Sequence, residues 1–131
     1  MDIQHIEVPG HGIGLPFSPV VIAGDLVFCS GQVGYKPGTS ELVEGGIEEQ
    51  TRQAMENLEA LLQSGGSSLA LVVKTVAFLA DPNDFAGFNS AYASFFPPDR
   101  YPARSAVQTG FMAPGILVEI ECVACKNPAE G

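Results

Sequence analysis

A chain of 131 residues, 46% hydrophobic and 16% charged, is long enough for one domain with a real core and too apolar for intrinsic disorder. Its formal net charge of −9, with only six basic residues, lacks the cationic footprint that a nucleic-acid backbone or an anionic membrane surface requires. No apolar run reaches membrane-spanning length, and the opening Met1-Asp2-Ile3-Gln4-His5 has neither the basic nor the apolar part of a secretory leader, so the expectation is a cytoplasmic protein.

Asp2 to Val8 alternates polar and apolar residues and reads as a half-buried strand, ended by Pro9-Gly10. Gly10 to Phe17 is a glycine-rich loop. Its spacing is not a dinucleotide fingerprint, and Pro16 and Pro19 stand where that motif needs a helix. A connector is the default for such a loop and a ligand wrap is the alternative, with Phe17 in its middle. Pro19 to Ala23 and Asp25 to Val33 read as two strands around a Gly24-Asp25 turn. Ser30-Gly31 inside the second marks a bulge or a close backbone approach. No G-x-S-x-G surrounds Ser30, so it is not a nucleophile elbow.

Residues 34–46 are rich in turn formers. Ile47 to Gln63 reads as a helix with Ala54, Met55, Leu58, Leu61 and Leu62 on one stripe, Glu and Arg on a solvated face, and Gly65-Gly66 as the stop. Leu69 to Ala80 reads as a strand apolar on both sides, with Leu71, Val73 and Thr75 on one face and Val72, Val76 and Phe78 on the other. A strand of that kind is covered on both sides. Two helices cover one side, and the other requires a partner chain, so an oligomer is expected. Asp81-Pro82-Asn83-Asp84 caps a second helix, Phe85 to Phe96. Its Phe85, Phe88, Tyr92, Phe95 and Phe96 read as core, with Asn89 the polar residue beside them.

Tyr101 to Cys125 reads as two strands joined by a turn at Ala113-Pro114-Gly115. The first carries a lone arginine, Arg104. In the second, Glu119 and Glu121 share one face, and Val118, Ile120, Cys122 and Ala124 share the other. The apolar face packs on the helices. The order β-β-β-α-β-α-β-β specifies an α+β fold, one domain over residues 1–131, with two helices on one face of a mixed sheet.

The chain has three cysteines. Cys122 and Cys125 form a C-x-x-C, but on a strand these positions point to opposite faces, and His5 and His11 are remote, so Cys29, Cys122 and Cys125 read as core residues. No P-loop, H-E-x-x-H or EF-hand loop is present, so neither metal nor cofactor is expected. The residues left for chemistry are Arg104, Glu119, Glu121, Ser30, Asn89 and the Phe17 loop. Composition alone leaves Arg104 equally a structural ion-pair arginine or a clamp for a small carboxylate. An anionic ligand is compatible with the acidic chain, because one buried arginine sets a local field against the global charge.

Several stretches together resemble the RidA (YjgF) family of imine/enamine deaminases. They are Phe28-Cys29-Ser30-Gly31-Gln32, Gln50 to Leu58, Val73-Lys74-Thr75, Asn83-Asp84-Phe85, Asn89 with Tyr92, Phe95 and Phe96, Pro102-Ala103-Arg104-Ser105, and Val118-Glu119-Ile120-Glu121. They run in family order over nearly the whole chain. The resemblance implies a chorismate-mutase-like α+β fold and a homotrimer with its helices outward and ligand sites in clefts between subunits. It also implies cofactor-free hydrolysis of 2-imino acids, or their 2-enamino tautomers, to 2-oxo acids and ammonia.

By the same resemblance, Arg104 holds the substrate carboxylate and Glu119 lies near the attacking water. Ser30, Gly31 and Asn89 match cleft-lining positions. Phe17 stands where many members have a tyrosine, and Ala106 where many have a cysteine. The Leu15-Pro16-Phe17 loop and Gln108-x-Gly110 resemble the aminoacrylate-processing RutC branch, and a further branch acts on 2-aminomuconate. Two other readings stay open: a non-catalytic trimer that binds small carboxylates, and RNA cleavage, which is attributed to some relatives.

Overall fold

A computed structural model describes residues 1–128. The strands are β1 (Ile3–Ile6), β2 (Val20–Ala23), β3 (Leu26–Val33), β4 (Val72–Leu79), β5 (Ala103–Gln108) and β6 (Val118–Cys125). The helices are α1 (Ile47–Ser64) and α2 (Phe85–Ala93). The strands form one six-stranded sheet in the order β1-β2-β3-β6-β4-β5. Only β4 and β5 run parallel, joined across α2; the other neighbours are antiparallel. Two helices packed on a mixed sheet are the α+β arrangement expected from the element order.

Local chemistry explains α1. The Glu49 carboxylate at its third position accepts the Gly46 N–H at 2.8 Å, and Glu48 and Glu49 face the positive end of the helix. That hydrogen bond holds the Glu49 carboxyl below its ordinary value. The apolar stripe packs without exposure on the sheet, and Gly66, at φ +76°, ends the helix in a conformation that suits glycine. Met55, Leu58, Leu61, Leu62, Phe88 and Ile120 are fully buried, each worth about 1.5–3 kcal/mol relative to exposure.

Three expectations are corrected. The two C-terminal strands are not hairpin partners: β5 pairs with β4, and β6 lies between β3 and β4. The crossover through α2 places β5 parallel to β4, outside the strand that β6 occupies. Second, residues Leu69–Leu71 form a 3₁₀ turn, and a bulge at Val73 shifts the register, so Val72 joins Thr75, Ala77 and Leu79 on the buried face while Val73 is exposed. Third, α2 ends at Ala93, before Phe95 and Phe96.

The face of the sheet away from the helices carries Leu26, Phe28, Val76, Phe78, Val107 and Val123, with Lys74, Glu119 and Glu121 among them. Leu26, Phe28 and Val107 are exposed in the single chain. Among the described residues, no helix is long and apolar enough to cross a membrane.

Candidate active site

The residues singled out in the sequence fall into separate groups. The first lies at the β5 edge. Arg104 stands beside Thr75 in the parallel register of β5 and β4, so both side chains rise from the helix-bearing face. There, α2 presents Phe85, Phe88, Asn89 and Tyr92 at one-turn spacings. Arg104 Nη1 donates to Asn89 Oδ1 at 2.8 Å. The guanidinium carbon lies 5.7, 5.3 and 5.0 Å from the ring centres of Phe85, Phe88 and Tyr92. Among the described residues, no carboxylate comes within ion-pair distance of it. A charged fork with one amide partner and three rings retains donors for an incoming anion.

Tyr92 is itself fixed: its hydroxyl and that of Thr75 are 2.7 Å apart in the core. Burial pushes the Tyr92 hydroxyl up, opposed by the Thr75 hydrogen bond and the Arg104 charge. A cleft of about 400 Å³ opens beside Arg104, walled by Asn89, Tyr92, Ala93, Tyr101 and Pro102. Ala106, two residues along the same face of β5, lines a second cleft of about 190 Å³ with Leu79, Pro82 and Phe85.

The second group lies mid-sheet on the opposite face. Glu119 of β6 stands opposite Val33 on β3 and Phe78 on β4. The register of β3 slips between Cys29 and Gln32, so Ser30-Gly31 forms the expected bulge. The close approach is the Glu119 side chain: a Cβ on Gly31 would lie 2.7 Å from Glu119 Oε2. Burial, reinforced by the charge of Glu121, pushes the Glu119 carboxyl above its ordinary value. Ser30 Oγ donates to the Ser18 carbonyl at 2.6 Å, which commits that hydroxyl to holding the loop before β2.

Phe17 forms a third location, half-exposed in that loop, where it lines a cleft of about 740 Å³ with His5, His11 and Leu15. It is next to β2, four strand spacings from β5, or about 19 Å. Arg104 and Glu119 are also apart. They lie two strands and three register positions from one another, about 14 Å, and on opposite faces. One chain therefore brings Arg104, Asn89 and Ala106 together, and Glu119, Ser30 and Gly31 together, but does not join the two sets.

In sequence, Phe85, Phe88 and Tyr92 read as core, and Thr75 and Tyr101 read as strand residues with no part in a site. The sequence holds no signal that joins them to Arg104, because only the pairing of β5 with β4 brings that guanidinium to the rings. Cys29 and Cys122 are core residues facing one another across β3 and β6. Their hydrogen bond, with burial, drives the Cys122 thiol far up. Cys125 points the other way and is partly buried. Among the described residues, no three His, Cys, Asp or Glu side chains gather as a metal site.

A family model described as "Endoribonuclease L-PSP" matches residues 13–126. A RutC family protein of Pyrococcus horikoshii is 42% identical over 112 residues, covering 86% of this chain and 88% of its own. The 2-iminobutanoate/2-iminopropanoate deaminase of Homo sapiens is 38% identical over 126 residues, covering 96% of this chain and 90% of its own. The crystal structure of E. coli TdcF with bound serine superposes with a TM-score of 0.83 at 33% identity, covering 95% of this chain and 99% of that one.

Proposed function

The chain belongs to the endoribonuclease L-PSP family, the YjgF/RidA family, and on that premise we propose that it is a cofactor-free deaminase of 2-imino and 2-enamino acids. The observation that carries the reading is Arg104: a half-buried guanidinium held by an amide and three aromatic rings, with no carboxylate of its own among the described residues. That environment suits a bidentate grip on a substrate carboxylate. The deaminase name of the human relative and the amino acid bound to TdcF are in keeping with a small carboxylate ligand.

The reaction follows from the chemistry of the imine. Arg104 holds the carboxylate, which fixes the adjacent electrophilic carbon in place. Glu119 accepts a proton from a water as its oxygen bonds to that carbon of the N-protonated imine and the C=N electron pair moves onto nitrogen, giving a tetrahedral amino alcohol. Glu119 returns that proton to the nitrogen, the C–N bond breaks with its electron pair leaving on ammonia, and the hydroxyl passes its own proton to the regenerated Glu119 carboxylate as the carbonyl of the 2-oxo acid forms. An enamine substrate is first protonated on carbon to give the imine.

Arg104 and Glu119 rise from opposite faces of their own sheet, so the site needs two chains: the β5 edge of one subunit meets the Glu119, Gly31 and Phe17 side of the next. A homotrimer with three such clefts fits this requirement, and it covers the exposed apolar face carrying Leu26 and Phe28. Ser30 and Asn89 serve chiefly to hold the loop and the guanidinium, while Phe17 and Ala106 shape the cleft.

A second reading, a trimer that binds 2-oxo acids without turnover, is favoured by two features. Phe17 has no hydroxyl, and Ser30 spends its own on Ser18. The net charge of −9 disfavours an RNA backbone as substrate. A coupled assay separates the readings. An amino-acid oxidase generates imino acids, and 2-oxo acid formation is followed with wild type and Arg104→Ala. Acceleration lost in the variant supports the deaminase. Absence of acceleration with any imino acid or with aminoacrylate removes it.

A further inference from the structure

The four rings of the α2 segment form a ladder. Centroids of Phe85 and Phe88 are 6.5 Å apart, those of Phe88 and Tyr92 5.4 Å, and those of Tyr92 and Phe96 5.1 Å. Phe88 and Tyr92 are buried, and filling the core explains them. It does not explain Phe85, which is 45% exposed in the single chain and stacks on Phe88 at an interplanar angle of 24°. What Phe85 does touch is the guanidinium of Arg104, 5.7 Å from its ring centre.

We propose that Phe85, Phe88 and Tyr92 form a cation–π cradle that replaces a carboxylate counter-ion for Arg104, with Phe85 as its outer, positioning residue. Building on the clamp reading above, this assigns to the aromatic stripe a part in recognising the substrate carboxylate.

A guanidinium leaving water needs compensation. A neighbouring Asp or Glu supplies it but neutralises the charge and occupies the fork. Ring faces supply it through their quadrupoles and leave both charge and donors available. Asn89 completes the arrangement with a neutral acceptor on Nη1 at 2.8 Å. The Tyr92 ring, tied to β4 through Thr75, and the buried Phe88 fix the inner wall. Phe85 closes the outer side, beside the cleft that holds Ala106.

The test uses Phe85→Leu and Phe85→Trp in the full-length chain. Calorimetry with 2-oxobutanoate reads carboxylate affinity, and the coupled assay separates KM from kcat. Leucine keeps apolar volume without a π face, and the site is half-exposed, so the fold tolerates it. The expected result is a weakening of 2-oxobutanoate binding and a matching rise in KM of about two- to fivefold, with kcat unchanged and wild-type binding restored by tryptophan. Unchanged affinity in Phe85→Leu overturns the cradle, as does equal weakening in both variants or a fall in kcat alone. A wild-type protein that binds no 2-oxo acid removes the Arg104 clamp, and the cradle with it.

Discussion

Arg104 Nη1 and Asn89 Oδ1 lie 2.8 Å apart, tying the edge strand β5 to helix α2 through one neutral hydrogen bond. The neutrality is testable. In Asn89→Asp the same geometry delivers a carboxylate, so the internal ion pair competes with the substrate. The variant should retain or slightly raise its Tm, while KM for imino acids rises by tenfold or more, about the worth of one charge-assisted hydrogen bond. Steady-state kinetics beside a thermal melt reads both effects.

Glu119 has a carboxyl raised above its ordinary value, by burial first and by Glu121 second. Its action as a base requires the ionised form, so activity should rise with pH through this raised value, and the acid limb should sit above the ordinary carboxylate range. The sign for stability is opposite. The folded state binds this proton more tightly than the unfolded state, so the contribution of Glu119 to stability falls as pH climbs from the ordinary to the raised value. Glu119→Gln should abolish the pH limb along with most activity, and its Tm relative to wild type should improve between acid and neutral pH.

Gly31 has no room for a side chain because the Glu119 carboxylate lies over it, 2.7 Å from a would-be Cβ. Gly31→Ala must turn the Glu119 side chain aside. That end of the chain is flexible, so the expected stability cost is below about 1 kcal/mol, at the low end for overpacking. Activity should fall at least as far as in a variant with Glu119 misplaced, about a hundredfold in kcat. Kinetics of Gly31→Ala alongside Glu119→Gln checks whether the two losses coincide.

Adjacent residues of α1 should respond in opposite directions. Buried Gln50 donates to the Gly115 carbonyl and accepts the Leu117 N–H, both at 2.9 Å, and so clamps the segment that leads into β6 and Glu119. Gln50→Ala leaves both backbone groups unpaired, at a cost of about 2–4 kcal/mol. Thr51 Oγ1 is buried with no hydrogen-bond partner among the described residues, so Thr51→Val should be neutral or stabilise by up to about 1 kcal/mol. Urea denaturation of the two variants measures both values.

What was readable in the sequence was local. The stripe of α1 and the alternation of β6 follow from side-chain period, and the Ser30-Gly31 bulge from two residues unsuited to a strand interior. The pairing of β5 with β4 was not readable, because it depends on a crossover that leaves no mark in either strand. The bulge at Val73 has no composition cue either, and it moved Val72 to the core. The role of the α2 rings stayed hidden for a related reason. Their spacing says only that they share a face, and it takes the parallel register of Arg104 with Thr75 to place a cation there. The division of Arg104 and Glu119 between two faces likewise emerges only once the sheet is assembled.

That division supports the central claim, a site shared between subunits, and subunit mixing tests it most directly. Arg104→Ala and Glu119→Gln, each inactive alone, are co-expressed with different tags and purified as mixed assemblies. A shared site predicts that activity returns to about a third of wild type, because in a mixed trimer of either composition an intact Arg104 edge meets an intact Glu119 face at one interface in three. Mixed assemblies with no more activity than either parent would contradict the shared site.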